Sequence, residues 1–157
     1  MKKLLLTALL VFASTAGFAQ KMKVQVDKES GTITVNEVPQ AILIKENAPG
    51  QLGINKNFTI TNLDGKELLY FVFTQEPETN SRGYKTGKTL TYYTLNFIES
   101  RGQGRRPGTM TALGAAKIAM KNGLIVDGEI DPDAQKKFLL KSKKDFHQIS
   151  LILSLIG

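Results

Sequence analysis

Hydrophobic positions in the first half of the chain recur every second residue. In "KMKVQVD" Met22, Val24 and Val26 fall on one side and Lys23, Gln25 and Asp27 on the other, the period of a half-buried strand. Ser30-Gly31 turns the chain into "TITVN", where Ile33 and Val35 keep the alternation, and "AILIK" after Pro39 makes a third short strand. Pro39 has no N–H to give a ladder, so it belongs at a strand start or edge. The glycine-rich "NAPGQLGINKN" is a loop. "FTITNLDGKELLYFVFT" predicts a hairpin, with Phe58 and Ile60 on one arm and residues 68–73 on the other. Asp64-Gly65 supplies the positive φ that its turn needs. The second arm is apolar on both faces, as a central strand is. The polar run "QEPETNSRGYKTGK" predicts a loop, "TLTYYTLNFI" a strand rich in aromatic and β-branched residues, and "ESRGQGRRPG" a further loop.

Beyond that loop the period lengthens from two to 3.6. "TALGAAKIAMKNG" sets Leu113, Ala116 and Met120 at helical spacing, and Asn122-Gly123 makes a C-terminal stop. A second helix starts at Asp131, with Pro132 at its first position and Phe138 and Leu139 on its buried side. The tail "ISLILSLIG" fits strand or helix. Strands first and helices last predict an α+β domain, an antiparallel sheet of about five to six strands followed by two or three C-terminal helices.

The first residues stand apart from that pattern. Lys2 and Lys3 precede a mostly apolar stretch over residues 4–13, and Gly17 and Ala19 place small residues at −3 and −1 of a cleavage site before Gln20. Residues 1–19 are thus expected to be a secretory signal peptide, too short and wrongly flanked for a retained transmembrane anchor. Residues 20–157 then form a single α+β domain, exported to the periplasm or secreted. The chain has no cysteine, which excludes disulfides, thiol catalysis, thiolate metal sites and lipidation at a new N-terminal cysteine. Stability rests on a hydrophobic core, which a domain of this length can supply. The formal net charge of +7 stays positive after the two leader lysines are lost.

Four stretches invite a chemical interpretation. "GYKTGKT", residues 83–89, is one residue short of the phosphate-binding Gly-x-x-x-x-Gly-Lys-Thr loop. That loop follows a buried strand and opens a helix, whose N–H groups hold the anion. Here a polar run precedes and a strand follows, so a turn is expected and no nucleotide. "RGQGRRPG" gathers Arg101, Arg105 and Arg106, whose guanidinium forks suit phosphate, sulfate or carboxylate. Lys85 and Lys88 sit about 30 Å away along an intervening strand, too far to share that site. "VDGEIDPDAQ" resembles the centre of a calcium loop around Gly128. Gly123, Ile125 and Ala134 then fall where ligands are required, and a turn at Asp127-Gly128 with a helix cap at Asp131 and Asp133 near the positive dipole end accounts for the acids better.

His147 is the only histidine, so zinc has no histidine pair, and no serine sits in a nucleophile elbow. Glu67, Glu76, Glu78 and Glu99 are the carboxylates available for a glycosidase pair, and sequence does not set their separation. Asn57-Phe58-Thr59 matches a glycosylation sequon, without consequence behind a bacterial-type leader. No cofactor and no metal are expected.

The leader ending "FAQ", the hairpin "GTITVNEVPQAILIKE", the strand pair "FTITNLDGKELLYFVF" and "NGLIVDGEIDPDAQKKFLLK" together resemble small exported proteins of Bacteroidetes-type bacteria that have no established activity. The resemblance spans most of residues 20–141; the tail from Lys143 departs from it in ending apolar. It implies compartment and fold class, and no chemistry. The expectation is therefore an exported, non-enzymatic binding or accessory module, whose partner is an anionic ligand or a cell-envelope protein. The alternatives are a small carboxylate-dependent hydrolase or carbohydrate-active enzyme, or a polyanion-binding protein. A pair of buried acids in a cleft marks the enzyme, and cations gathered on one face mark the polyanion binder.

Overall fold

The structure is a computed structural model that describes residues 22–50, 53–80 and 82–156, with side chains described through residue 144. The expected leader lies outside the described residues. Seven strands form one sheet: β1 (Val24–Val26), β2 (Thr32–Val35), β3 (Val38–Asn47), β4 (Lys56–Thr61), β5 (Glu67–Thr79), β6 (Lys85–Phe97) and β7 (Gln103–Pro107). Each pairs antiparallel with its neighbours in sequence, so the sheet is a plain meander. Two helices follow, α1 (Ala112–Lys121) and α2 (Pro132–Ile156), with the small hairpin β8 (Ile125–Val126) and β9 (Glu129–Ile130) between them. The α+β class and the antiparallel sheet stand as expected. The five to six strands become seven because the arginine-bearing stretch that looks like a loop pairs as β7, while the polar run before β6 only lengthens β5 and β6.

The alternation in sequence sorts the two faces. Ala41 and Leu43 of β3, Phe58 and Ile60 of β4, Leu69, Phe71 and Phe73 of β5, and Tyr93, Leu95 and Phe97 of β6 share an inner face and are all buried. Phe58 stacks near Tyr93 at 5.9 Å, and Phe73 meets it edge-on at 5.5 Å. On this face α1 packs against β1, β3 and β4, and α2 packs against β7. Phe138 of α2 closes the core edge-on to Phe97 at 6.3 Å. Alanines 115, 116 and 119 with Met120 make the buried stripe of α1. Leu113, expected on that stripe, is 38 % exposed, because the stripe is centred on the alanines about a quarter turn away.

Local chemistry places the connections. Asp27 Oδ1 accepts from the N–H of Ser30 at 2.7 Å, from its hydroxyl at 2.8 Å and from the Glu29 N–H at 3.1 Å. These donors, the Ser30 backbone foremost, hold the exposed Asp27 carboxyl below its ordinary value. Gly31 follows at φ +73°, so close to β3 that an added Cβ would lie 2.2 Å from the Leu43 carbonyl oxygen. Thr111 caps α1 by accepting from the Gly114 N–H at 3.1 Å. At the other end Gly123 and Leu124 donate to the Met120 and Ala119 carbonyls, a Schellman close. Asp127 (φ 50°) and Gly128 (φ 78°) make the turn between β8 and β9. Asp131 then caps α2, its Oδ1 accepting from the Ala134 N–H at 2.7 Å, with Pro132 at the first helical position. The ambiguous tail is helical to Ile156.

Candidate anion-binding face

The arginine-bearing stretch is not a loop from end to end. Arg101 sits in the β6–β7 turn at φ +54°, and residues from Gln103 onward form the edge strand β7. Arg105 pairs across from Thr94 and Arg106 from Tyr93, so these two neighbours face opposite sides of the sheet. The structure therefore does not bring Arg101, Arg105 and Arg106 into one three-pronged fork. Glycine is here for a reason other than looping: α2 lies directly on the strand. A Cβ at Gly104 would stand 3.0 Å from the Phe138 ring and 3.2 Å from Ser142 Oγ, and one at Gly102 would stand 2.7 Å from the Gln135 amide.

Ser142 ties that helix to the strand edge. Its Oγ accepts from the Arg105 N–H at 2.7 Å and donates to the Arg105 carbonyl at 2.8 Å. The Arg105 guanidinium lies over the Tyr92 ring, 5.2 Å from its centroid, a cation–π contact on the outer face. Tyr92 is buried, which pushes its phenol above the ordinary value; the Glu76 carboxylate pushes the same way and Arg105 opposes it. Glu76, Tyr92 and Arg105 form one polar chain across three strands. Arg105 is thus held in place, while Arg106 is exposed on the other face of the same strand.

Alongside runs the most cationic element of the described chain. With Gln135, Phe138 and Ser142 buried toward the sheet, the helical period leaves Lys136, Lys137, Lys141, Lys143 and Lys144 exposed. Asp133 is the only acid between Pro132 and Lys144. Two open depressions flank the helix. One of about 630 Å³ lies against the β8–β9 hairpin, with Val126, Phe138, Lys137 and Lys141 in its wall. The other, of about 300 Å³, carries Leu139, Leu140, Lys136 and Lys143. Each side of α2 therefore presents an apolar floor with two ammonium groups.

The acids are dispersed into other duties. Glu99 and Glu129 both sit 2.7 Å from Lys66 Nζ, clasping two turns to the β8–β9 hairpin and raising the Lys66 pKa, Glu129 most. Glu78 is buried and accepts from the Thr86 hydroxyl at 2.5 Å, and Glu67 and Glu76 are exposed on β5. Neither depression is lined by any of these five glutamates. Asp131 and Asp133 line the larger one, with Asp131 committed to its cap. Among the described residues no group of three His, Cys, Asp or Glu side chains is arranged to hold a metal ion. The side chain of His147 lies outside the described residues.

"GYKTGKT" is neither a phosphate loop nor wholly a turn. Asn80 Oδ1 accepts from the N–H groups of Arg82 and Tyr84 at 3.0 Å each, forming the turn, and Lys85 onward is already β6. Gly87, at φ +80°, lies where the β5–β6 register shifts. No helix follows, so the fixed N–H donors of a phosphate cradle are missing from this site. The lysines of α2 were not among the residues that motif reasoning singled out. Their signal was a basic run at helical spacing around Phe138 and Leu139. No known protein family, curated protein or solved structure matches this chain.

Proposed function

We propose that this chain is an exported, non-enzymatic binding module, periplasmic or secreted, that recognises an anionic ligand or cell-envelope partner through the cationic face of β7 and α2. The observation that carries this proposal is the exposure of five lysines on α2, with Arg106 exposed on the same side of β7 and most nearby acids engaged elsewhere. A rigid strand and helix hold these cations, which reduces the ordering that binding must impose. The face is solvated and accordingly salt-sensitive: at physiological ionic strength its reach is about 8 Å.

The test is retention on an immobilised polyanion as a function of salt. Lys137→Glu, Lys141→Glu and Lys144→Glu together are expected to abolish retention. The control changes Lys23, Lys28 and Lys45 to glutamate, an equal change in net charge away from this face. Equal loss in both variants shows that overall charge alone is responsible and sinks the proposal. Export is tested separately by intact mass of the cell-envelope fraction, where a chain beginning at Gln20 is expected. Recovery there of a chain that retains Met1 refutes cleavage of the leader.

A further inference from the structure

The larger depression beside α2 differs from the rest of the cationic face in carrying both signs of charge. Ala134, Lys137, Phe138 and Lys141 recur at i, i+3, i+4 and i+7, so one side of the helix forms its long wall. The end of α1, at Asn122 and Gly123, and Val126 of β8 supply the other walls. The β8–β9 hairpin is in turn tied to the β4–β5 turn. Asn62 Nδ2 donates to the Gly128 carbonyl at 3.3 Å, and Lys66 holds Glu129 at 2.7 Å. A cleft of about 630 Å³ is therefore built from three elements, one of them anchored to the sheet.

Charge is sorted along this cleft. The Asp131 N–H donates to the Leu124 carbonyl at 3.0 Å, which fixes the end of α1 beside the start of α2. There the partial charges of the two helix termini offset each other, so the side chains set the sign. They are acceptors: the Asp133 carboxylate, the second oxygen of Asp131, and Asn122 Oδ1, whose Nδ2 is spent on the Ile118 carbonyl at 2.8 Å. Lys137 lies one turn further along and Lys141 a turn beyond that, about 12 Å of rise from Asp133. Between the two ends the wall is apolar, with Ala134, Phe138 and the 49 % exposed Val126. An acid four residues before a lysine is the favourable order for a helical ion pair. Yet among the described residues no ion pair engages Asp133, Lys137 or Lys141.

We infer that this cleft binds a short peptide with both termini free, its ammonium group on Asp131, Asp133 and Asn122 and its carboxylate on Lys137 and Lys141. Three extended residues reach about 10 Å, which spans the interval once a flexible lysine leans inward. A single amino acid is too short to touch both ends. The central side chain meets Val126 and Phe138, so a small apolar one fits. The volume of the cleft lies in the range of small-ligand sites. Such a ligand is zwitterionic and needs the acids as well as the lysines, whereas a polyanion is repelled from the Asp131–Asp133 end.

The experiment is calorimetric titration of the protein with Ala-Val-Ala, with the same peptide acetylated at its N-terminus, and with the same peptide amidated at its C-terminus. Saturable binding of the free peptide is expected, with each capped form about fivefold weaker. Asp133→Asn is expected to weaken the free and amidated peptides several-fold and to leave the acetylated one unchanged, because the charge that Asp133 meets is already gone. Lys141→Gln is expected to weaken the free and acetylated peptides and to leave the amidated one unchanged. Both positions are exposed, and circular dichroism confirms the fold of each variant. Absence of saturable binding at millimolar peptide, indifference to either cap, or equal effects of both variants on all three peptides overturns the inference. Retention on immobilised polyanion is measured on the same protein. Retention without peptide binding overturns the peptide cleft and leaves the anionic-face proposal standing, and peptide binding without retention does the reverse.

Discussion

Replacing Ser142 by alanine tests how the sheet is closed at its β7 edge. An edge strand presents outward N–H and C=O groups that invite pairing with another chain. At Arg105 both groups are taken by the hydroxyl of Ser142, at 2.7 and 2.8 Å, and two residues on Pro107 has no N–H to offer. Ser142 itself is only 5 % exposed. Alanine removes both bonds. An orphaned buried donor or acceptor costs about 1–3 kcal/mol, but the exposed Arg105 side chain lets water approach, so the lower end applies and the pair costs about 2 kcal/mol. Alanine recovers about 0.5 kcal/mol through its helix propensity. The net expectation is a loss of about 1–2 kcal/mol, read as a lower urea midpoint at unchanged slope in a circular dichroism titration. The exposed neighbour Lys143→Ala serves as control and is expected within about 0.5 kcal/mol of wild type. The Arg105 amide is expected to exchange slowly in the wild type and quickly in Ser142→Ala. A Ser142→Ala protein as stable as the control, with the amide still protected, refutes the edge closure.

Gly31→Ala is expected to cost more than about 2 kcal/mol, because the left-handed backbone alone costs about 1–2 and the added Cβ meets the Leu43 carbonyl oxygen. Gly65→Ala, at φ +89° with open space around it, separates the two causes and is expected to pay the backbone term only; equal losses in a denaturant titration refute the clash. Asp131→Ala is expected to cost about 0.5–2 kcal/mol and Asp131→Asn less, since asparagine also caps; a calcium-dependent rise in the wild-type melting temperature that both variants lose contradicts the capping role. Burial pushes the Tyr93 phenol above its ordinary value, although its hydrogen bond to the Lys56 carbonyl at 2.8 Å pulls the other way. The folded pKa being the higher one, this contribution to stability is full below the unfolded value near 10 and is lost as pH rises through the folded one. Tyr93→Phe is expected to lose about 1 kcal/mol at neutral pH and to remove a late phenol from the alkaline ultraviolet titration; an unchanged titration curve contradicts the burial argument.

Elements set by nearby residues were legible. The alternation through Val24, Val26, Ile33 and Val35 gave the first strands, and Gly65, Asn122-Gly123 and Asp131-Pro132 marked a turn, a helix end and a helix start where the structure has them. Turn and cap chemistry acts over three or four residues, so it is written locally. The β5–β6 arm was not legible, because alternation arises only where one face of a strand is buried. Beyond Thr74 and Tyr92 neither neighbouring strand continues, the ribbon through "EPETNSRGYKTGK" is exposed on both faces apart from Glu78, and it carries no period to detect. In β7 the misleading signal was glycine, whose role depends on Phe138 and Ser142, over thirty residues later.

The same distinction explains what could be foreseen of the candidate site. Arg101, Arg105 and Arg106 attract attention as a cluster in sequence, yet strand geometry disperses neighbours: Arg105 and Arg106 go to opposite faces, and Arg101 stays at the far end of the strand. Lys136, Lys137, Lys141, Lys143 and Lys144 are spread over nine positions and form no motif, yet a helix with one side buried returns them to a common exposed surface. A run of charge is therefore informative only once the period of its element is known. Here the decisive residue is Ser142, the one small polar side chain among those lysines. By facing the strand together with Gln135 and Phe138 it fixes the rotation of α2, and that rotation decides which way the lysines point.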